Sequence, residues 1–186
     1  IHGVRLLSQT DTFAAEPIGR IIRRDSMPYP ELHEIRRWQV LIAGAGQMSE
    51  GNLFGKSIIA DGRLAGGFIG PDSFALEFEE PGSDFSLWTY AILNSSLGIQ
   101  GIQSSAYGTS IPHLRADLLA TVPIPEAPVA LVKRVADLVR TAVEQREAWM
   151  IEVKLAREAI DSLPELQEIA SNLARPTRSL MWSGAL

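Results

Sequence analysis

Hydrophobic residues follow one pattern before residue 128 and another after it. In residues 1–127 they form short runs separated by Gly, Pro and Asp, which is typical of strands joined by tight turns. We predict strands near residues 18–23, 39–43, 57–60, 64–69 and 74–78. Near the end of the last run, apolar and polar side chains alternate, which indicates a strand with one buried and one solvated face.

Two short helices are predicted after these strands. Ser83 or Asp84 can cap a helix that continues to about Ser95. A second helix over residues 97–106 contains two glycines, which weaken its helical tendency. We expect residues 107–114, which follow it, to form a loop.

A long helix is predicted from Pro128 onward, because proline suits the first turn of a helix. The preceding residues 122–125 are expected to be extended, since each proline there disfavours helical backbone at the residue before it. Apolar residues then recur at alternating spacings of three and four over more than four heptads. This seam consists of Val132, Val135, Val139, Ala142, Arg146, Trp149, Val153, Ala156, Ile160 and Leu163.

A helix over residues 128–163 has 36 residues and measures ~54 Å at ~1.5 Å per residue, which exceeds the width of a small domain. We therefore expect its far end to pair with another helix in a coiled coil, with the long surface helix of a monomer as the alternative. The first half carries a wider apolar stripe that adds Leu131, Leu138 and Val143, so we expect it also to lie on its own globular domain. At the single charge in the seam, Arg146, we expect an ion pair with an acidic residue of the partner helix that fixes the register.

The fold class that follows is α+β, with a small mixed globular domain and a long α-helix that forms an antiparallel coiled coil. We place the globular domain at residues 1–126 and the helix at residues 127–163. Residues 164–186 form a short helix and a C-terminal tail. We expect the tail, with Met181 and Trp182, to be loosely ordered or docked on a partner.

Composition excludes several classes of protein. Apolar residues make up 46% of the 186 and charged residues 21%, which excludes an intrinsically disordered chain. No apolar run approaches the length of a membrane span, and residues 1–5 lack both the apolar core of a signal peptide and a starting Met. The missing Met suggests a trimmed chain or a piece of a longer polypeptide. The absence of cysteine excludes disulfides and thiolate sites, and we expect a cytoplasmic protein.

The charge of this chain is local, although its net value is only −5. Of the 17 basic residues 14 are arginines, and arginine suits the planar, bidentate recognition of phosphates and guanine edges. Five of them fall within 18 residues: Arg20, Arg23, Arg24, Arg36 and Arg37. The acidic counterpart lies elsewhere and contains no basic residue: Asp72, Glu77, Glu79, Glu80 and Asp84.

Nothing in the sequence points to catalysis. The three histidines, His2, His33 and His113, are far apart and in no spacing typical of metal ligands. The acidic residues after Pro71 resemble the start of a nuclease site, but no lysine occurs between Lys56 and Lys133, and no G-x-S-x-G nucleophile motif is present. We therefore expect a chain without enzymatic activity and without a metal.

One segment resembles a dinucleotide-binding turn. A predicted strand runs into Gly44, Ala45 and Gly46, but the third small position is Ser49 and the residues after it do not open a helix. A nucleotide- or cofactor-binding enzyme that uses this turn is one alternative. The other is that these glycines, with Gly51 and Gly55, permit tight turns in a loop between two strands.

Residues 88–125 resemble the target recognition domain of the specificity subunit of Type I restriction–modification systems. That family has a short helix with the pattern L-N-S-x-x-G-x-x-x-I, here in residues 90–102, and a G-T/S-x-x-x-x-L loop, here residues 108–114. Residues 119–125 match its L-x-x-hydrophobic-P-I-P segment, and a long helix follows, as in the family's spacer. Residues 38–47 are similar to its strand and glycine turn, except that Trp38-Gln39 stands where Gly-Asp is common.

The resemblance implies a DNA-reading module that lacks catalysis of its own. In that family each recognition domain reads half of a bipartite site in double-stranded DNA, and paired spacer helices set the distance between the halves. DNA methyltransferase (modification) subunits dock on the assembly and supply S-adenosylmethionine chemistry, and an endonuclease/translocase subunit is a further partner. The cofactor is therefore expected on the methyltransferase, with none on this chain and no membrane partner.

Family members usually carry two recognition domains and two spacers, whereas this sequence has one of each. The chain can be a half-sized subunit that pairs with a second specificity half through the coiled coil, the second half of a full subunit, or a recognition fragment of a fused restriction–methyltransferase.

The candidate DNA contacts follow from side-chain chemistry. For phosphates and guanine edges they are the five clustered arginines together with Lys56, Arg63 and Arg115. Gln47 has the amide geometry that pairs with adenine, and a polar loop supplies Tyr107, Thr109, Ser110 and His113. Since solvation is the commonest fate of a surface arginine, we expect about half of these residues to touch DNA.

Overall fold

The computed structural model describes residues 3–49, 51–108 and 110–173, with side chains as far as residue 169. The strands are β1 (Gly3–Leu7), β2 (Arg20–Arg23), β3 (Val40–Ala43), β4 (Ser57–Ile59), β5 (Phe68–Ile69), β6 (Ser73–Leu76), β7 (Ala106–Tyr107) and β8 (His113–Leu114). The helices are α1 (Gln9–Phe13), α2 (Asp84–Leu93), α3 (Ser96–Ser104), α4 (Ala116–Leu119), α5 (Val129–Asp161) and α6 (Pro164–Leu173). The predicted α+β class with a long C-terminal helix is confirmed.

The strands form two three-stranded sheets and a small hairpin. In the first sheet the order is β2-β1-β5, with β2 antiparallel and β5 parallel to β1. In the second the order is β4-β3-β6, and both pairs are antiparallel. The hairpin joins β7 to β8 by pairing Tyr107 with His113.

Strand β3 separates two hydrophobic cores. Successive side chains of a strand point to opposite faces, so Val40 and Ile42 enter one cluster and Leu41 enters the other. The first cluster also contains Leu87 and the buried residues of α5, and the second is lined by β1 and β5. All four residues of β3 are buried, as their unbroken apolar sequence predicts.

Most predicted elements are present with shorter ends, and two expectations need correction. The strand expected over residues 64–69 is reduced to Phe68–Ile69, because residues 61–67 form hydrogen-bonded turns, including one from Gly67 N–H to the Leu64 carbonyl. Residues 107–114 are not a simple loop, since they contain a residue of β7 and all of β8. Strand β1, which the sequence analysis did not predict, is central in its sheet.

Helices α2 and α3 are capped as the sequence suggests. The Ser83 side chain accepts a hydrogen bond from Ser86 N–H, and Ser95 accepts one from Gly98 N–H. A Cβ at Gly98 would lie 2.0 Å from the Ile92 carbonyl oxygen, so only glycine fits where α3 turns back on α2. The glycine of the family-like pattern therefore has a steric reason.

The chain divides into two units, Ile1–Glu147 and Ala148–Leu186, and the division falls inside α5. In the first unit α5 contributes Ala136 and Val143 to the first core, and Val139 packs against it. The expectation that Leu131 and Leu138 join Val143 on the globular domain is wrong, because both leucines are exposed. The apolar contact of the helix with the first core is a narrow stripe that includes Ala136, Val139 and Val143.

The second unit contains the end of α5 and all of α6. Leu163, expected to close the seam of the long helix, lies between the two helices instead. The predictions for Met181 and Trp182 concern residues outside the described part of the chain. Among the described residues, no helix combines the length and apolar character needed to cross a membrane.

Candidate nucleic-acid interface

The segment after β3 is tied to the hairpin. Leu114 N–H donates to the Gly44 carbonyl at 2.8 Å, Gly46 N–H donates to the Pro112 carbonyl at 3.2 Å, and Ala45 forms an isolated antiparallel bridge with His113. A Cβ at Gly44 would lie 2.6 Å from the Phe74 ring, which explains glycine at this position. Two segments far apart in sequence are therefore joined at one edge of the second sheet.

A side chain from α1 holds the same turn in place. The Gln9 amide nitrogen donates to the Ala45 carbonyl at 2.9 Å, and the Ala45 N–H donates to the Gln9 side-chain oxygen at 3.1 Å. This reciprocal pair satisfies both backbone groups of a buried residue. Gln9 was not predicted as a site residue, because nothing in the sequence around it distinguishes it from an ordinary surface glutamine.

Six side chains lie on these two joined segments, and we refer to them together as the loop surface. They are Gln47, Met48, Tyr107, Ser110, Ile111 and His113. All are exposed except His113, which is half-buried and has its ring 6.1 Å from that of Tyr107. Gln47, Tyr107, Ser110 and His113 were predicted as candidates, whereas Thr109 lies outside the described residues. Met48 and Ile111 were missed, and the signal for them is an apolar side chain within a Gly- and Ser-rich loop.

The glycine turn lacks the helix that a dinucleotide site needs. Between Gly46 and β4 the described residues form turns, in which Gly51 has φ +90° and Gly55 has φ +77°. Phosphate binding by such a turn depends on the N-terminus of a following helix, and the next element here is a strand. The geometry is that of a loop between two strands.

The arginines that cluster in sequence do not form one patch. Arg23 is paired with Asp25, whose hydrogen bond raises the pKa of the guanidinium and is accompanied by a lowered pKa of the carboxyl. Arg24 is paired with Glu34 at 2.6 Å and lies over the Phe68 ring. Arg23 and Arg24 therefore each have an acidic partner, and neither partner belongs to the acidic cluster of residues 72–84.

Arg36 and Arg37 also have acidic partners. Arg36 lies 3.6 Å from Glu77, and Arg37 donates to Glu147 of α5 at 2.5 Å while its guanidinium lies over the Trp38 ring. The hydrogen bond to Glu147 raises the pKa of Arg37. Arg37 is therefore a link between the globular domain and α5 within the first unit.

Arg63 and Arg146 converge on one buried carboxylate. Asp61 is 0% exposed, and its Oδ2 accepts hydrogen bonds from Arg63 Nε at 2.8 Å and from Arg146 Nε at 2.9 Å. Arg146 also donates to the Ile59 carbonyl, and Arg63 donates to the carbonyls of Ala14 and Ala15. The expectation that Arg146 pairs with a partner helix is therefore wrong, because its partner is Asp61 of the same chain.

Arg20 and Lys56 differ from the other candidate cations. Within the described ranges neither has an acidic side chain in ion-pair distance, whereas Arg115 is paired with Asp117. Lys56 adjoins the glycine turn, since its carbonyl accepts from Ala43 N–H at 2.9 Å. Arg20 lines a cavity with Ser8 and Pro71, which are the chain neighbours of Gln9 and Asp72.

Gln9 and Asp72 both contact the glycine turn. The Gln9 side chain forms two hydrogen bonds with the backbone of Ala45, and the Asp72 carbonyl accepts from Gly44 N–H at 2.8 Å. Lys56 therefore adjoins the turn that carries Gln47, whereas Arg20 shares a cavity with the chain neighbours of two residues that contact this turn.

The seam residues divide between the two units. In the first unit Val132, Val135, Val139 and Arg146 are half-buried and Ala142 is exposed. In the second unit Trp149 and Ile160 are 55% and 52% exposed, Ala156 is exposed and Val153 is half-buried. Ile151 and Leu155, which lie off the seam, add further exposed apolar surface to the same unit.

Within the described part of the chain, no three His, Cys, Asp or Glu side chains are grouped so that they could hold a metal ion.

No family model matches this sequence, and no curated protein matches it either.

Proposed function

We propose that this chain is a sequence-specific DNA-recognition module of a Type I restriction–modification complex, and that it has no catalytic activity itself. The observation that carries the proposal is the joining of the glycine turn to the hairpin. The two segments that resemble the family's motifs pair with each other and present the polar side chains of the loop surface to solvent.

The chemistry of the loop surface suits base edges. A glutamine amide, a serine hydroxyl and a histidine ring supply the donors and acceptors that read bases in a groove. Arg20 and Lys56 supply cations that form no ion pair with a carboxylate among the described residues, which suits phosphate contacts. Surface pairs such as Arg23–Asp25 and Arg115–Asp117 are screened by solvent and add little stability, so these arginines can exchange a carboxylate for a phosphate at low cost.

Two backbone features agree with the family resemblance. Trp38 has φ +71°, a conformation that glycine adopts freely and other residues rarely adopt, and the similar motif commonly has glycine at this position. Gly98 is the residue that allows α3 to turn back on α2. Position 38 has a backbone conformation that glycine adopts freely, and position 98 has no room for a side chain.

The second unit supports a role in assembly. Its exposed apolar side chains, including Trp149 and Ile160, are too numerous for a helix that remains solvated on all sides. We infer that this part of the chain pairs in an antiparallel coiled coil with a second specificity half, which brings two recognition domains to a bipartite site. Methyltransferase subunits would dock on that assembly in the cytoplasm and would carry the S-adenosylmethionine.

The test is selection of binding sites from random double-stranded DNA by the purified full chain at low salt, followed by sequencing. We expect enrichment of a short defined half-site. The affinity of the selected site should fall with salt, and the Arg20→Ala and Lys56→Ala variants should each make the log–log slope shallower by about 1. Lys154→Ala, which removes an exposed cation in the second unit, is the control and should leave the slope unchanged. A folded chain that enriches no sequence would overturn the proposal.

A further inference from the structure

The loop surface combines polar and apolar side chains in a way that a phosphate-binding surface does not need. Gln47 offers an amide, but Met48 is 49% exposed and Ile111 is 59% exposed. Single exposed apolar residues are common on proteins, whereas neighbouring ones among polar groups mark surfaces that bind something.

The segments that carry the two apolar side chains are joined through the backbone. Met48 lies two residues after Gly46, and Ile111 directly precedes Pro112, which accepts the Gly46 hydrogen bond. Neither belongs to the two hydrophobic cores, and the backbone around them is fixed by the Gln9 contacts to Ala45. A preorganised apolar contact of this kind loses little conformational entropy on binding.

The major groove of DNA contains one apolar group that distinguishes bases, the C5-methyl group of thymine. Side chains such as alanine, phenylalanine and the methyl of threonine contact it, while glutamine pairs with adenine through the N6 and N7 edge. An A·T pair therefore offers a polar edge and a methyl group, which suit the amide and the two apolar side chains of the loop surface in chemical character.

We propose, building on the DNA-recognition function above, that Ile111 and Met48 read the C5-methyl group of a thymine and that Gln47 reads an adenine next to it. Ile111 and Met48 are then specificity-determining residues that act by excluding water from one methyl group. Arg20 and Lys56 hold the flanking phosphates and contribute no sequence preference.

The experiment uses the half-site selected by the full chain. Each thymine is replaced in turn by uracil, which removes only the methyl group, and the dissociation constant is measured by fluorescence anisotropy at fixed salt. For the wild type we expect one position at which uracil weakens binding about fourfold, the effect of leaving one methyl group unburied. The difference in affinity between the thymine and uracil sites should shrink in Ile111→Ala and in Met48→Ala. It should disappear in the double variant, because no apolar side chain then remains to contact the methyl group. Leu97→Ala removes an equally large side chain, 78% exposed on α3, and should keep it.

Three outcomes separate this inference from the proposed function. Selection of no DNA would overturn both. A selected half-site without an A·T pair, or one at which every uracil substitution is neutral, would overturn the methyl contact while leaving DNA recognition intact. A uracil penalty that persists undiminished in the Ile111→Ala, Met48→Ala and combined variants would assign the methyl contact to other residues and would also overturn the inference.

Discussion

The buried carboxylate of Asp61 accepts a hydrogen bond from Nε of Arg146 at 2.9 Å, and this contact joins the turn after β4 to helix α5. Glu147, the next residue of the helix, accepts from Gly62 N–H at 2.6 Å in the same turn. Two consecutive residues of α5 therefore grip one turn of the globular domain. The rotation of the helix within the first unit is fixed by polar contacts as well as by Ala136 and Val143.

Removal of the Asp61 carboxylate should destabilise the first unit strongly. Asp61→Ala leaves Arg63 and Arg146 facing each other without their shared anion, and loss of one member of a buried ionic group costs about 3–5 kcal/mol. Arg146→Met, which leaves the Asp61–Arg63 pair intact, should cost about 1–3 kcal/mol through its lost hydrogen bonds. Urea denaturation followed by circular dichroism measures both.

The control for these two variants is Asp25→Ala, which removes the carboxylate of an exposed ion pair and should cost far less stability than Asp61→Ala. Equal costs for Asp61→Ala and Asp25→Ala would contradict the assignment of Asp61 as a buried anchor.

The contact at Glu147 makes stability depend on acid pH. Burial acts to raise the pKa of this carboxyl, but hydrogen bonds from Arg37 and Gly62 N–H outweigh it, so the pKa lies below its ordinary value of 4.5. A carboxyl with a lowered pKa in the folded state contributes stability above its unfolded pKa, and the contribution disappears as the pH falls through the folded pKa. Glu147→Gln should therefore be less stable than the wild type at neutral pH, and the difference should shrink below pH 4.5.

Urea midpoints measured at a series of pH values test this expectation. Glu152→Gln changes an exposed glutamate in the second unit and should follow the wild-type curve at every pH. A Glu147→Gln variant with the pH dependence of the wild type would show that this carboxyl has no altered pKa.

Gly98 should tolerate no side chain. In Gly98→Ala the new Cβ would meet the Ile92 carbonyl oxygen at 2.0 Å and the Leu93 Cα at 2.7 Å, both of them backbone atoms that cannot move without separating α3 from α2. We expect a loss of about 3 kcal/mol or more, which is typical of forced overpacking in a core. Gly101→Ala in the same helix meets only a Val122 methyl carbon at 3.1 Å and should change stability by no more than about 1 kcal/mol. Thermal and chemical denaturation of the two variants provide the comparison.

Self-association should depend on the exposed seam of the second unit. The double variant Trp149→Lys, Ile160→Lys places two charges on the apolar face and should convert an oligomer to a monomer without unfolding residues 1–147. Light scattering coupled to size-exclusion chromatography measures the mass. Ala148→Lys adds a charge at a neighbouring exposed position off the seam and should remain oligomeric. A wild-type chain that stays monomeric at every concentration would refute pairing with a second copy.

Local sequence patterns predicted the elements whose stability is local. The run from Val40 to Ala43 and the Ser83 cap identified β3 and α2, and heptad spacing identified α5. Strand β1 was missed because both of its pairings are non-local, with β2 at a separation of 14–20 residues and with β5 at more than 60. No short-range pattern contains that information.

The candidate site was predicted in part for the same reason. Residue chemistry singled out Gln47 and the polar residues of the hairpin, but the pairing that joins them is long-range. Heptad spacing wrongly placed Arg146 at a helix–helix contact. Helical periodicity shows which face of a helix makes contacts, but it cannot show that the partner on that face is the buried Asp61. Four of the five clustered arginines form separate ion pairs, and the partners of Arg36 and Arg37 are brought in by the fold from distant parts of the chain.

The division of the hydrophobic interior by β3 has a consequence for how this molecule can change over time. Successive side chains of β3 enter the two hydrophobic cores in alternation, whereas the side chains at positions 47, 48, 110 and 111 belong to neither core. Substitutions at these outer positions can therefore accumulate with little penalty to folding, whereas an insertion of one residue in β3 would exchange its two faces. If the proposed DNA recognition holds, new target preferences can arise at the loop surface while both hydrophobic cores stay unchanged.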